Sequence, residues 1–560
     1  MLLFIIFRRW SGVFMPLLAM TLGVLVTLSL MAIFGTPMQV STSILPAFLL
    51  AVCVGDSIHL LTMFYRNYDA GDEKIHAMAA AMGHTGLPMF FTSITTAAGL
   101  ASFATSDLTL VSALGVYGAL GSLIAFLLTI FILPSLIAIL PIKRRLLSVD
   151  ENKGLQPILA WSARVSTQHP KLIVACGLVV FVTATAIASQ IQFSHHPLAW
   201  LPEDNEALQG IKNYEAHMGS TINFEIMLDT GKDRGVINAP LLQTLDKIQK
   251  EIVTWQGEHW SVTKAISVVN IIKESNRALH DNDERHFVVP DDPALISQEL
   301  FLVELDEPDD ILNVVDKGYQ VARLTVTTPW FDAIYAQEVV EKMQTYLQAE
   351  LQPYDVSVNF TGVAPILGVT FGKMLISTAE SYGIAAIIIT LMMVMLIGNV
   401  KLGLLSMIPS LLPILIILAT LHLVGIRLDM LTMLVGSIAI GLTVDDNIHF
   451  MHGFRRLYLK TGDPAYAVEA TLLSTGRAML ITSIVLSVGF SIYSQSLMSN
   501  LMVFGMTTTG CIVLALIATY LLAPALMVLA NKRWHHQEPK PTPAASRQHP
   551  INTDTDIDSN

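Results

Sequence analysis

Gly441-Leu-Thr-Val-Asp-Asp-Asn-Ile-His-Phe450 places two carboxylates and a histidine inside a run otherwise apolar enough to cross a membrane. An ionised Asp at the centre of a bilayer costs about 2.5–3.5 kcal/mol on insertion scales, so such residues are rare there and usually serve ions, protons or substrate. The chain does this twice. Val54-Gly-Asp-Ser-Ile-His59 has the same form, and Asp56 and His59 each precede Asp446 and His449 by 390 positions. The offset holds without a gap over about 1–140 against 391–530. It pairs Gly35 with Gly425, Phe64 with Phe454, Arg66 with Arg456, Thr85-Gly86 with Thr475-Gly476, Thr92-Ser93 with Thr482-Ser483, Gly115 with Gly505 and Pro134 with Pro524. Self-similarity of this kind reads as a duplicated membrane module with a large insert between its copies.

Composition agrees: 560 residues, 52% hydrophobic and only 14% charged, describe an integral membrane protein rather than a soluble chain. The formal charge of −12 is concentrated in the insert, where most carboxylates lie between about 200 and 355. A nucleic-acid partner is excluded on this reading, because phosphate binding needs a basic face. Cys53, Cys176 and Cys511 sit in apolar runs at unrelated spacings, as small buried hydrophobes do, and suggest neither a metal site nor a disulfide.

Apolar runs predict spans near 12–34, 41–64, 87–106, 110–140, 170–190, 376–398, 402–425, 429–452, 478–495 and 500–530, about ten in all. Residues 1–7 are too short to span, and by the repeat they read as the tail of a helix. The resulting division is a first membrane module over 1–145, a cytoplasmic linker over 146–169, a helix over 170–191, an outer domain over 192–373, a second module over 374–533 and a disordered tail over 534–560. Arg8, Arg9, Arg66, Lys74, Lys143–Arg145, Lys401, Arg455, Arg456, Lys460, Arg477, Lys532 and Arg533 fall on one side if spans alternate, which predicts that side to be cytoplasmic. The segments 72–84 and 463–476 read either as interfacial helices or as solvated loops. In the insert, 223–229, 319–327 and 356–360 are strand-like, whereas 239–255 and 333–351 carry helical spacing. The expected fold is therefore a mostly α membrane protein, a duplicated helical bundle carrying one α+β domain of ferredoxin-like units.

The chemistry centres on Asp56, Asp445 and Asp446. Positions i and i+3 share a helix face, so Asp56 with His59 and Asp446 with His449 form acid–imidazole pairs. A carboxyl withdrawn from water beside a like charge is suited to exchanging protons near neutral pH, where histidine titrates already. These five residues are the expected proton relay. Thr92, Ser93, Thr482 and Ser483, early in the following helices, could support it with hydroxyls or merely allow close packing. His422 and His452, single histidines near span ends, read as interfacial. No membrane-embedded Lys or Arg offers a counter-ion. The chain has no GxxxxGK[ST], HExxH, Cys-x-x-Cys or Gly-x-Ser-x-Gly. No enzyme activity, cofactor or metal is expected, and an ion gradient is the plausible energy source.

Val444-Asp-Asp-Asn-Ile-His-Phe-Met-His-Gly-Phe-Arg-Arg456 and Val54-Gly-Asp-Ser-Ile-His-Leu-Leu-Thr-Met-Phe-Tyr-Arg66 resemble the fourth- and tenth-helix motifs of the resistance–nodulation–division (RND) superfamily, specifically its mycobacterial membrane protein large (MMPL) branch, which is related to the sterol-sensing-domain proteins. Trp200-Leu-Pro-Glu-Asp-Asn205 resembles the opening of that family's second periplasmic domain. The resemblance implies an exporter in the bacterial inner membrane, driven by the proton-motive force, with 192–373 in the periplasm and a hydrophobic or amphiphilic substrate, lipids included. The implied partners are the bilayer, that substrate and protons; a homo-oligomer stays open. Asp445 and Asp446 match the family's paired acids and Asp56 the second acid of the first pair, while Gly55 replaces the first. Family members begin with a helix and a first periplasmic domain that have no counterpart here, some 250 residues by the repeat, so an inactive short form is an alternative. A non-transporting protein of the same fold, sensing lipid or assisting translocation, is another.

Overall fold

The computed structural model describes residues 2–145 except 40 and 107, 156–306 and 308–531. The tail over 534–560, Lys532, Arg533 and the first part of the 146–169 linker lie outside the described residues. The chain opens with a short α1 (Leu2–Phe7), then α2 (Ser11–Ile33), α3 (Leu45–Asp69), α4 (Lys74–Ala101) and α5 (Thr109–Ile139). Next come α6 (Gln156–Gln168), α7 (Pro170–Ala188) and α8 (Glu206–Met218). The insert continues as β1 (Ile222–Asp229), α9 (Ala239–Ile252), β2 (Lys264–Ile266), α10 (Val268–Leu279), α11 (Pro293–Asp306), α12 (Pro308–Leu312), β3 (Val321–Thr328), α13 (Ala336–Leu351) and β4 (Ser357–Thr361). The second copy is α14 (Val363–Ile397), α15 (Val400–Val424), α16 (Met430–Thr461), α17 (Pro464–Ser491) and α18 (Ser499–Asn531). Among the described residues 10 helices are long and apolar enough to cross a bilayer.

The acid-bearing helices occupy the middle of this bundle. α16 packs against α4, α14, α15, α17 and α18, and α3 packs against α2, α4, α5 and α17. Within the most apolar window of α16, 94% of residues are buried, against 11% for α7, so the polar groups of α16 meet protein rather than lipid. The duplication extends to the turns: Gly35 and Gly425, 390 positions apart, both adopt positive φ (66° and 79°) after α2 and α15. Glycine takes that conformation without a Cβ clash, which lets the chain reverse sharply at both places. Asp429 then starts α16 with a reciprocal cap, its carboxylate accepting from Thr432 N at 2.8 Å while its own N–H donates to Thr432 Oγ1 at 2.7 Å.

Three boundaries differ from those read in the sequence. The segments 72–84 and 463–476 are neither separate interfacial helices nor loops; they are the opening turns of α4 and α17, unbroken with the spans that follow. The 146–169 linker contains a helix, α6, which buries Leu159, Ser162, Ala163 and Ser166 and donates from Ser162 Oγ to Tyr520 O at 2.7 Å. The division at 373/374 falls inside α14, which leaves the sheet at β4 and runs on through the bundle.

The insert forms one antiparallel sheet in the order β2-β3-β1-β4, the ferredoxin-like arrangement, with α10–α12 added between β2 and β3. Alternation along β1 and β3 sends Phe224, Ile226, Leu324 and Val326 to one face, where Leu245 and Ile248 of α9 and Val339 and Met343 of α13 cover them. The domain is stitched to the bundle at the foot of α16. Leu428 N–H donates to Gln192 O and Ser194 N–H to Leu428 O, while Asp332 accepts from Ser194 Oγ (2.6 Å) and His195 N (2.7 Å).

Glu299 of α11 is fully buried here, with neither carboxylate oxygen hydrogen-bonded. Burial pushes its carboxyl up from 4.5 to about 7, against the opposing pull of nearby His280. The folded domain therefore binds this proton more tightly than the unfolded chain. The stability that Glu299 contributes is fully present below about pH 4.5 and is lost as pH rises through about 7. Glu299→Gln should remove that slope and stabilise the domain above pH 7 by about 2–3 kcal/mol. Hydrogen exchange of α11 amides in the full chain, corrected for intrinsic rates, reads this; an unchanged slope would refute it.

Candidate proton-relay site

Asp56 and His59 stand one turn apart on α3, and Asp446 and His449 stand likewise on α16, so the helix period alone aims each pair at one side of its helix. α3 packs on α17 and α16 on α4, and in that arrangement the two pairs face each other across one site. One small cavity is lined by Gly55, Asp56, His59, Thr92, Asp445, Asp446, His449, Thr482 and Ser483. Asp56, His59, Asp446 and His449 are all buried, and Asp445 is partly so.

The hydroxyls repeat with the acids. Ser93 Oγ donates to Asp56 Oδ2 at 3.2 Å, and Ser483 Oγ donates to Asp446 Oδ2 at 2.7 Å. Thr92 and Thr482 spend their hydrogens on their own helices, Thr92 on Met89 O at 2.9 Å and Thr482 on Met479 O at 2.9 Å. Both hydroxyl-bearing side chains also line the cavity beside the acids. Asp445 has only a 3.5 Å approach from Thr96 Oγ1, and its counterpart is Gly55, at which a Cβ would meet nothing within 4 Å. The cavity thus has an acid on one side and open space at the equivalent place on the other.

Between the two copies the imidazoles of His59 and His449 lie face to face, with ring centroids 3.8 Å apart and planes at 5°. Two unit charges about 4 Å apart repel by about 4 kcal/mol at an effective dielectric of 20, which opposes two protonated rings in the stack at once. Among the described residues no Lys or Arg lines the cavity. The set can therefore share protons among three carboxyls and two imidazoles, within a shell of hydroxyls.

Two neighbours escaped the sequence reading. Asn447, between the acids and His449, is fully buried and donates through Nδ2 to Ser406 O at 2.6 Å and Ser410 Oγ at 3.1 Å. It pins α16 to α15, which fixes the rotation of the acid face. His84, in the stretch read as loop or interfacial helix, lines a second cavity with His452, so His452 faces protein and not the interface. The spacing 449, 452 along α16 was the available signal for His452; His84 has Ser474 as its repeat partner, which hid it.

Comparison with known protein families matches the MMPL family over residues 1–173 and 244–548. The chain belongs to the MMPL family. A curated relative from Methanocaldococcus jannaschii, named as a membrane protein (MJ1562), is 25% identical over 402 residues, spanning 68% of this chain and 95% of that protein. This MMPL chain is thus a multi-pass membrane protein of transporter-like type, as the RND resemblance led one to expect. Within it the acid motifs of both copies converge on one cavity rather than two.

Proposed function

We propose that this protein is a proton-driven exporter of hydrophobic or amphiphilic molecules, lipids included, seated in the plasma membrane with its α+β domain on the outer side. The observation that carries this reading is the shared cavity: three carboxyls and two imidazoles where the repeats meet, with no Lys or Arg among the described residues that line it. A merely structural acid would be expected to keep a fixed partner, and Asp445 has only a long contact. The orientation is supported by the basic residues. Arg9 grips Asp69 with both carboxylate oxygens (2.7 and 2.8 Å), Lys74 donates to Leu140 O and Arg455 to Leu396 O, all at the end of the bundle away from the insert. Cations there cap helix C-termini and obey the positive-inside rule together. Protons entering from outside would neutralise the acids, and their release inside would reset them.

The test is efflux of a lipophilic dye, Nile red, from cells lacking their own exporters. Expression should speed efflux, and a protonophore should return it to background. Efflux that persists under the protonophore would favour transport by another energy source, and no efflux with retained lipid binding would favour a lipid-sensing role.

A further inference from the structure

The second cavity has no part in that scheme as it stands. It is lined by His59, His84, Thr85, His449, His452, Ser474 and Thr475, so the stacked imidazoles form the partition between it and the acids. Along α4 its residues lie between the Lys74 end and Thr92, and along α16 between Asp446 and Arg456. It therefore points from the acids toward the basic end of the bundle. At its far side Arg456 donates from Nη2 to His84 Nε2 at 2.6 Å. A guanidinium has no acceptor, so Nε2 presents a lone pair and His84 is neutral in this arrangement. Arg66 and His452 also face His84, and Arg455 and Arg456 face His452.

We propose that this cavity is the inner half of the proton route, with the His59–His449 stack as its gate, His84 and His452 as carriers, and Arg456 as the positive barrier at its mouth. The inference rests on the proton-driven reading. A proton leaves a carboxyl oxygen as an N–H forms on His59 or His449. Each later transfer, ring to water to ring, breaks one N–H or O–H as the next forms, and the proton ends in bulk water at the basic face. No electrons are exchanged. Arg456 would set the barrier to passage in either direction, since an imidazolium at His84 would have to displace the guanidinium that now donates to it. Thr85, Ser474 and Thr475 offer the polar oxygens that hold water in such a passage.

The experiment uses the full chain in sealed, uniformly oriented proteoliposomes and a membrane-permeant carbodiimide, which modifies protonated carboxyls. Modification of Asp446 is read by mass spectrometry while lumen and bath pH are varied separately. In the native protein, acidifying the basic-face compartment should raise the rate, approaching about tenfold per pH unit while the acid is mostly ionised. In His84→Leu/His452→Leu that response should vanish while the response to the opposite compartment remains, which also shows the protein folded. His84→Gln/His452→Gln keeps polar side chains without a titrating nitrogen and should give the same loss; a purely structural role would be restored by Gln. Should native Asp446 ignore pH on both sides, the proton-driven reading itself fails. Should it respond while either double variant keeps the basic-face response, the route is wrong and the reading stands.

Discussion

Asp446→Asn should abolish protonophore-sensitive dye efflux, by roughly 10²-fold or more, while the protein remains in the membrane at native levels. The size follows from the loss of a positioned proton donor and acceptor, an effect that typically reaches 10²–10⁴-fold. The stability expectation follows from shape: Asn has the same outline, and Ser483 Oγ can still donate to its oxygen as it does to Asp446 Oδ2 at 2.7 Å. The amide cannot cycle a proton. Asp56→Asn should do nearly as much, because Ser93 gives Asp56 the equivalent partner. Asp445→Asn should do less, since the equivalent place in the first copy is Gly55, so only one copy carries this acid. Efflux at the native rate in Asp446→Asn, still blocked by a protonophore, would remove the acids from the mechanism.

The second large effect concerns packing. Gly115 and Gly505 are repeat partners, and each lies against the short turn that joins its own helix to the preceding one. A Cβ on Gly115 would stand 2.5 Å from Ala104 N and 2.8 Å from Phe103 C; one on Gly505 would stand 2.8 Å from Phe490 O and 2.9 Å from Ser494 N. The obstacles are backbone atoms, which cannot swing aside as a side-chain tip can. Gly115→Ala and Gly505→Ala should each destabilise the bundle by about 1–3 kcal/mol, the usual range for overpacking, and together should sharply reduce folded protein. Gly83→Ala and Gly86→Ala, where a Cβ meets nothing within 4 Å, should be neutral or stabilising by up to about 1 kcal/mol. Thermal midpoints of the detergent-solubilised variants decide it: four equal values would show that the close approach at Gly115 and Gly505 carries no energy.

Much of this architecture was legible because a gapless offset of 390 can be tested residue by residue, and burial of an acid in an apolar run is expensive enough to be informative. β1, β3 and β4 were legible for a related reason, since β1 and β3 alternate strictly against a single covered face; β2, only three residues long, was too short to show a pattern and was missed. Hydropathy failed where helices continue past the apolar zone. The first turns of α4 and α17 are polar, yet Asp463-Pro464 is a helix start in plain view: Asp463 caps Ala465 N–H at 2.9 Å and Pro464 fills a position that needs no N–H. The inner cavity was hidden for a different reason. The repeat compares equivalent positions, whereas His84 and His452 meet from non-equivalent ones, opposite Ser474 and Thr62 in the alignment. Only the crossing of α4 and α16 juxtaposes them.

The two chain crossings between bundle and α+β domain are mechanically unequal. On the way in, regular helix ends at Ala188 and extended chain follows; on the way out, α14 continues from β4 as one rod of 35 residues, about 52 Å long. Its shaft lies along α16 and α4, and its head lies against α13 and β1. Pivoted at one end, such a rod turns a tilt of about 5° into a sweep of roughly 4–5 Å at the other, by its length alone. A rearrangement among the acids too small to notice locally would thus arrive at the sheet as a shift the size of a side chain.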